Sequence, residues 1–237
     1  FFGAFLFFVL PVALFSQNDF EKIIEAEKKS FQHIHIHKEE RGAENNYNII
    51  YQRLNLSVNP NVNFISGSVT TYFTPESTTG YIEFDLSDSL WVDSIIYHQA
   101  NISFSHTGDV IHATFPQNVS GGQTDSVCVS YHGVPSGSGF GSFVQSYHDS
   151  FPVIWTLSEP YGAKDWWPCK QNLSDKIDSV DILVTASDSF KTASNGLLVE
   201  EIRTGNSKTF HWRHRYPIAA YLVCFATTNY EIGRAHV

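Results

Sequence analysis

From Tyr47 onward apolar and polar residues alternate with a period of two. The clearest run is Ile49-Ile50-Tyr51-Gln52-Arg53-Leu54-Asn55-Leu56-Ser57-Val58, the pattern of a strand with one buried and one wet face. Asn59-Pro60-Asn61 is turn chemistry, and Phe64-Ile65-Ser66-Gly67-Ser68-Val69-Thr70-Thr71-Tyr72-Phe73 follows as a second strand, so the pair predicts a hairpin. Similar runs stand at residues 81–85, 90–97, 102–105, 110–115, 126–131, 153–157, 180–186, 191–193, 197–203, 208–213 and 221–225. Gly, Asn, Asp or Pro separates most of them. Residues 133–141 (GVPSGSGFG) predict a loop, and residues 173–177 a short helical turn. So many short strands at this spacing predict an all-β chain, an antiparallel, saddle-like β-sandwich, and exclude a βαβ fold.

The pattern differs at both ends. Residues 17–46 are polar and charged, with a weak helical stripe over 19–31, and predict a short N-terminal helix or linker. His33, His35 and His37 alternate with isoleucine there, so a strand would put all three imidazoles on one face. The motif places no further ligand beside them, and the segment reads as an exposed linker rather than a metal site. Residues 1–16 are almost wholly apolar, yet shorter than the roughly twenty residues needed to span a bilayer. They read as the remnant of a secretory signal peptide, with Ser16-Gln17 as the cleavage point. The expected location is secreted, periplasmic or cell-surface. Residues 232–237 (IGRAHV) read as a translated sequencing adapter. With no Met in the chain, this predicts a gene fragment truncated at both ends, its one β domain spanning 47–231.

Composition then removes function classes. The 24 acidic residues exceed the 15 basic ones, for a formal charge of -9, and no Lys/Arg run offers phosphates a basic face, so a nucleic-acid partner is excluded. The three cysteines, Cys128, Cys169 and Cys224, have no zinc spacing and sit among apolar neighbours, as buried thiols do. Lys170 beside Cys169 is a cation that could lower that thiol's pKa, but no motif pairs it with a histidine base. There is no H-E-x-x-H, G-x-S-x-G or phosphate-binding loop, so neither catalytic residues nor metal ligands are assigned in this chain.

One stretch stands out, WTLSEPYGAKDWWPCKQ over residues 155–171. Glu159 lies between Ser158 and Pro160 just past a predicted strand, where a carboxylate can face a cleft from a rigid base. A lone carboxylate suits a cationic group such as the α-ammonium of a peptide. Equally, Glu159 can cap a turn or pair with Lys164. Trp166 and Trp167 suit core and rim. With Trp155 and Tyr161 they also suit stacking platforms, which would make the chain a non-catalytic secreted β-sandwich binding module for glycan or protein adhesion.

Residues 158–169 (SEPYGAKDWWPC) resemble the F-E-P-x-x-A-R-x-x-F-P-C segment of the aminopeptidase N family of zinc metallopeptidases. Further pieces follow in family order. Residues 51–57 with Ser66-Gly67-Ser68-Val69 resemble its first hairpin, and residues 151–155 the strand before the E-P segment. Ser194-Asn195-Gly196 resembles its S-N-G turn, and residues 216–222 its x-P-M-x-x-Y-L strand. The chain departs from the pattern at Lys164-Asp165, and at Lys170-Gln171-Asn172-Leu173, where the family has an acidic pair and proline.

The resemblance implies the N-terminal β domain of a zinc-dependent aminopeptidase that removes N-terminal residues from peptides. It implies that Glu159 binds the free N-terminus of the substrate. The zinc ligands, the general base and the G-x-M-E-N loop would lie in a C-terminal catalytic domain missing from this sequence, so the fragment alone is expected to be inactive.

Overall fold

The computed structural model describes residues 46–137 and 141–230. The chain enters through β1 (Tyr47–Val58), β2 (Ile65–Pro75), β3 (Thr79–Asp85), β4 (Leu90–Tyr97), β5 (Ala100–Asn101), β6 (Ser103–Thr107), β7 (Val110–Val119) and β8 (Asp125–Gly133). It continues through β9 (Ser142–His148), β10 (Phe151–Leu157), a 3-10 turn at Ala163–Asp165, β11 (Ser179–Ser187), β12 (Lys191–Ser194), β13 (Leu197–Thr204) and β14 (Ser207–His214). A second 3-10 turn at Ala220–Leu222 leads into β15 (Phe225–Thr228). The fold is an all-β sandwich, and no α-helix occurs among the described residues. The expected segments 1–16 and 232–237, the helix over 19–31 and the His33, His35, His37 run lie outside the described residues.

β1 and β2 form the expected antiparallel hairpin at the centre of an eight-stranded sheet of order β13-β14-β11-β1-β2-β8-β4-β5. Gly67 sits where β2 crosses β1 closely, since a Cβ there would lie 2.4 Å from the Asn55 carbonyl oxygen. A four-stranded sheet, β12-β15-β10-β9, and a three-stranded sheet, β3-β7-β6, complete the molecule. Alternation puts Leu54, Leu56, Val69, Val129, Ile182 and Val184 on one buried face of the large sheet. Ile82, Phe84 and Ile111 of the three-stranded sheet and Ile154 and Phe225 of the four-stranded sheet share their apolar cluster, so both small sheets close that face. Each such side chain contributes about 1.5–3 kcal/mol on full burial. The opposite face carries Ser57, which is exposed, and Ser66, Ser68, Thr70, Thr185 and Thr209, which are half-buried.

Four details correct the expectations. β1 pairs with β11 in parallel, Tyr51 opposite Ser179 through Ser57 opposite Thr185, inside a sheet expected to be antiparallel throughout. β9 follows the Gly/Ser loop where no strand was expected. Residues 221–225 are not one strand, because the Ala219 and Ala220 carbonyls are satisfied locally by the Leu222 and Val223 N–H groups. Residues 173–177 turn without forming a helix, and Ile177 makes a β-bridge to Ile218.

Candidate functional site

β10 ends at Leu157, and Ser158 turns inward and is buried. Its hydroxyl oxygen accepts the Trp166 indole N–H at 2.9 Å. Its carbonyl accepts the Gly162 N–H at 2.9 Å, closing a loop over Glu159, Pro160 and Tyr161. The Glu159–Pro160 peptide bond is cis. Glu159 is exposed, and its carboxylate makes no hydrogen bond or ion pair with any described residue. Neither the turn cap nor the Lys164 pairing considered from sequence is formed. Lys164 Nζ instead donates to Asp109 Oδ2 at 2.6 Å. Burial alone would raise the Asp109 carboxyl, but the hydrogen bonds from Lys164 and the Asp88 backbone outweigh it and hold the group below its ordinary value.

The base of this loop is braced by buried polar bonds. A Cβ at Gly162 would lie 2.0 Å from Ser142 Oγ, so only glycine lets the turn pack against β9. Ser142 Oγ donates to Asp165 Oδ2 at 2.6 Å, and Ser136 Oγ donates to Asp165 Oδ1 at 3.0 Å. Hydrogen bonds to a carboxylate are about twice as strong as neutral ones, which suits a buried Asp165. Farther along, Asp85 and Cys169 exchange backbone hydrogen bonds at 2.7 and 3.0 Å, tying the segment to the end of β3. Lys170 is buried, donates to the Tyr47 carbonyl and the Asp175 carboxylate, and lies 4.4 Å from the Tyr47 ring centre. Ser142 and Asp165 carry no signal in the sequence, being 23 positions apart and in no motif.

The aromatic residues divide. Trp166 and Trp167 are fully buried with ring centres 5.7 Å apart, and Trp166 also packs 5.5 Å from Phe225. They are core, so the stacking-platform reading fails for both; Trp155 and Tyr161 are half-buried. Cys169 is a free, fully buried thiol whose pKa is pushed well above the ordinary value by burial, with Asp85 and Asp165 adding to it. The lowering suggested by neighbouring Lys170 is absent. Cys128 and Cys224 are also free but only half-buried. No group of three or more His, Cys, Asp or Glu able to hold a metal occurs among the described residues.

The arrangement is therefore one exposed carboxylate on a rigidly founded turn. The profile of the peptidase M1 N-terminal domain matches residues 43–222. Comparison with curated protein sequences gives no match. Among solved structures, a mutant of a two-domain M1 zinc metallopeptidase bound to L-arginine superposes with a TM-score of 0.72 at 22% identity, covering 78% of this chain and 43% of that one. A mutant of the M1 zinc metallopeptidase from Deinococcus radiodurans bound to a Tyr-Ser-Ala substrate gives a TM-score of 0.70 at 22% identity, over 78% and 43%. Native yeast LTA4 hydrolase gives 0.62 at 16% identity, over 78% and 29%. At these identities the likeness is one of fold, and the chain spans less than half the length of each.

Proposed function

The chain belongs to the peptidase M1 N-terminal domain family, and on that premise we propose that it is the substrate-recognition domain of a secreted, zinc-dependent aminopeptidase, with Glu159 receiving the free amine of a peptide. One observation carries this reading: the Glu159 carboxylate is exposed and without a partner among the described residues, while the turn beneath it is pinned by Ser158, Gly162 and Asp165. A carboxylate held in this way accepts hydrogen bonds from a terminal ammonium. An internal amide has no charge to offer it, which favours exopeptidase over endopeptidase action. The M1 relatives imply zinc in the parent protein. In this reading the domain's own contribution is to bind and orient the amine through Glu159. Residues 1–16 serve export in this reading.

The test is Glu159→Gln in the full-length protein. We expect kcat/KM for peptides with a free N-terminus to fall on the order of a hundredfold, as when one member of a desolvated charge pair is removed. The melting temperature should stay unchanged, because the carboxylate has no partner to lose. Unaltered kcat/KM would sink the assignment.

A further inference from the structure

The outer face of the eight-stranded sheet gathers charge that the sequence disperses. Cross-strand register puts Arg53, Asp181 and Arg213 in one row over β1, β11 and β14. Arg215, just past β14, reaches the same carboxylate. Asp181 is buried, with Arg215 Nη1 2.9 Å, His211 Nε2 3.2 Å and Arg213 Nε 3.4 Å from its carboxylate oxygens, close enough for charge pairing though not aligned as hydrogen bonds at Oδ1 or at His211 Nε2. Burial would raise its pKa, but the Arg215 guanidinium and the His211 imidazole beside it outweigh burial and hold the carboxyl below its ordinary value. Arg53 donates from Nε to Asn55 Oδ1 at 3.4 Å. The Asp181 carboxylate thus meets two guanidiniums, with a third, that of Arg53, opposite it in register, and Glu200, opposite His211 on β13, is the acidic neighbour in register.

The arginines keep donors in hand. Neither terminal nitrogen of Arg53 or Arg213, nor Nε and Nη2 of Arg215, meets an acceptor among the described residues. The side chains of Arg213 and Arg215 are 42% and 45% exposed. Beside them the exposed Tyr72 packs edge-on to Tyr51 with ring centres 5.6 Å apart, and Ser68 and Thr70 continue the face as hydroxyls.

We propose that this face binds an acidic polysaccharide, its anionic groups taken by the open forks of Arg53, Arg213 and Arg215 and a sugar ring laid on Tyr72. A planar guanidinium fork matches a carboxylate or sulfate with two parallel hydrogen bonds. Arg53 and Arg213 stand two strands apart, about 10 Å at ordinary strand spacing, so they address separate anionic groups of one chain. Nucleic acid fits less well, because its affinity rests on neutralising many closely spaced phosphates, whereas the arginines argued for on this face number three. An acidic peptide fits less well too. The row lies inside the sheet, where strand neighbours occupy the backbone groups that a peptide would pair with. The serine and threonine hydroxyls are instead suited to sugar hydroxyls.

The experiment is affinity electrophoresis of the full chain in gels containing alginate, chondroitin sulfate or dextran, with polyglutamate as a soluble competitor. Retardation by alginate or chondroitin sulfate but not by dextran, weakening as salt is raised, is the expected result, and the two acidic gels separate carboxylate from sulfate preference. Arg53→Gln and Tyr72→Thr leave the partners of Asp181 in place, and each should weaken retardation roughly two- to fivefold. Three results overturn the proposal: no retardation, retardation that dextran reproduces, or retardation indifferent to both substitutions. Polyglutamate competing as well as free alginate would give the face to an acidic peptide and overturn it as well.

Discussion

β13 and the segment from Ser158 to Gln171 invert the usual relation between regularity and burial. β13 pairs with β14 from Leu197 to Thr204 with one register shift between Leu198 and Glu200, yet every one of its residues is exposed, Leu197 to 77%. The 158–171 segment has little beyond one 3-10 turn and one β-bridge, yet it contains the two tryptophans with no exposed surface. A backbone ladder therefore holds β13 in place without anchoring it to a core. Side-chain bonds and aromatic packing hold the irregular segment more firmly than its backbone does. Where one carboxylate must be aimed, packing supplies the accuracy, and regular structure is reserved for the frame.

That contrast breaks most readily at Trp166. Trp166→Ala should cost about 3–5 kcal/mol, the range for emptying a buried aromatic site, read as a lowered denaturant midpoint of the full chain. A loss within the noise of the measurement would mean that the segment is not anchored by its core.

A smaller effect is expected at Lys164. The Asp109 carboxyl is held below its unfolded value of 3.8, so its contribution to stability is present above that pH and is lost as pH falls through the depressed folded value. With Lys164→Met, burial acts on Asp109 with less opposition. The acid unfolding midpoint followed by circular dichroism should then move to higher pH; an unmoved midpoint would show that the ion pair does not brace the loop. The smallest effect belongs to β13, where Leu197→Ser should change stability by no more than about 0.5 kcal/mol. A larger loss would show that β13 is anchored after all.

Much of the frame was legible because it repeats locally. The alternation through Leu54, Leu56 and Val58 announces a one-sided strand whatever lies beside it. β9 leaves no such trace, because only Ser142 and Phe143 at its start are buried and the remainder alternates weakly. The apolar run near Tyr221 resembled a strand because burial of Val223 and Phe225 is as apolar in a turn as in a ladder. Glu159 could be read from its neighbours Ser158 and Pro160. The residues that aim it could not, because Ser136, Ser142 and Asp165 meet only through the fold. The parallel register of β1 with β11 is likewise a long-range choice with no local trace. The arginines of the outer face became a group only once three strands were laid side by side.

The same parallel pairing has a consequence for synthesis. Among the described residues β1 is the first strand to be translated, and it sits near the middle of the large sheet, but one of its two neighbours, β11, is translated only after nine further strands. Until then one whole edge of β1 stands open, and Leu54 and Leu56 lack their in-register neighbours Ile182 and Val184. Such late, non-local closure is intrinsically slow. A nascent chain halted before Ser179 would therefore be a substrate for chaperones rather than a folded half-domain.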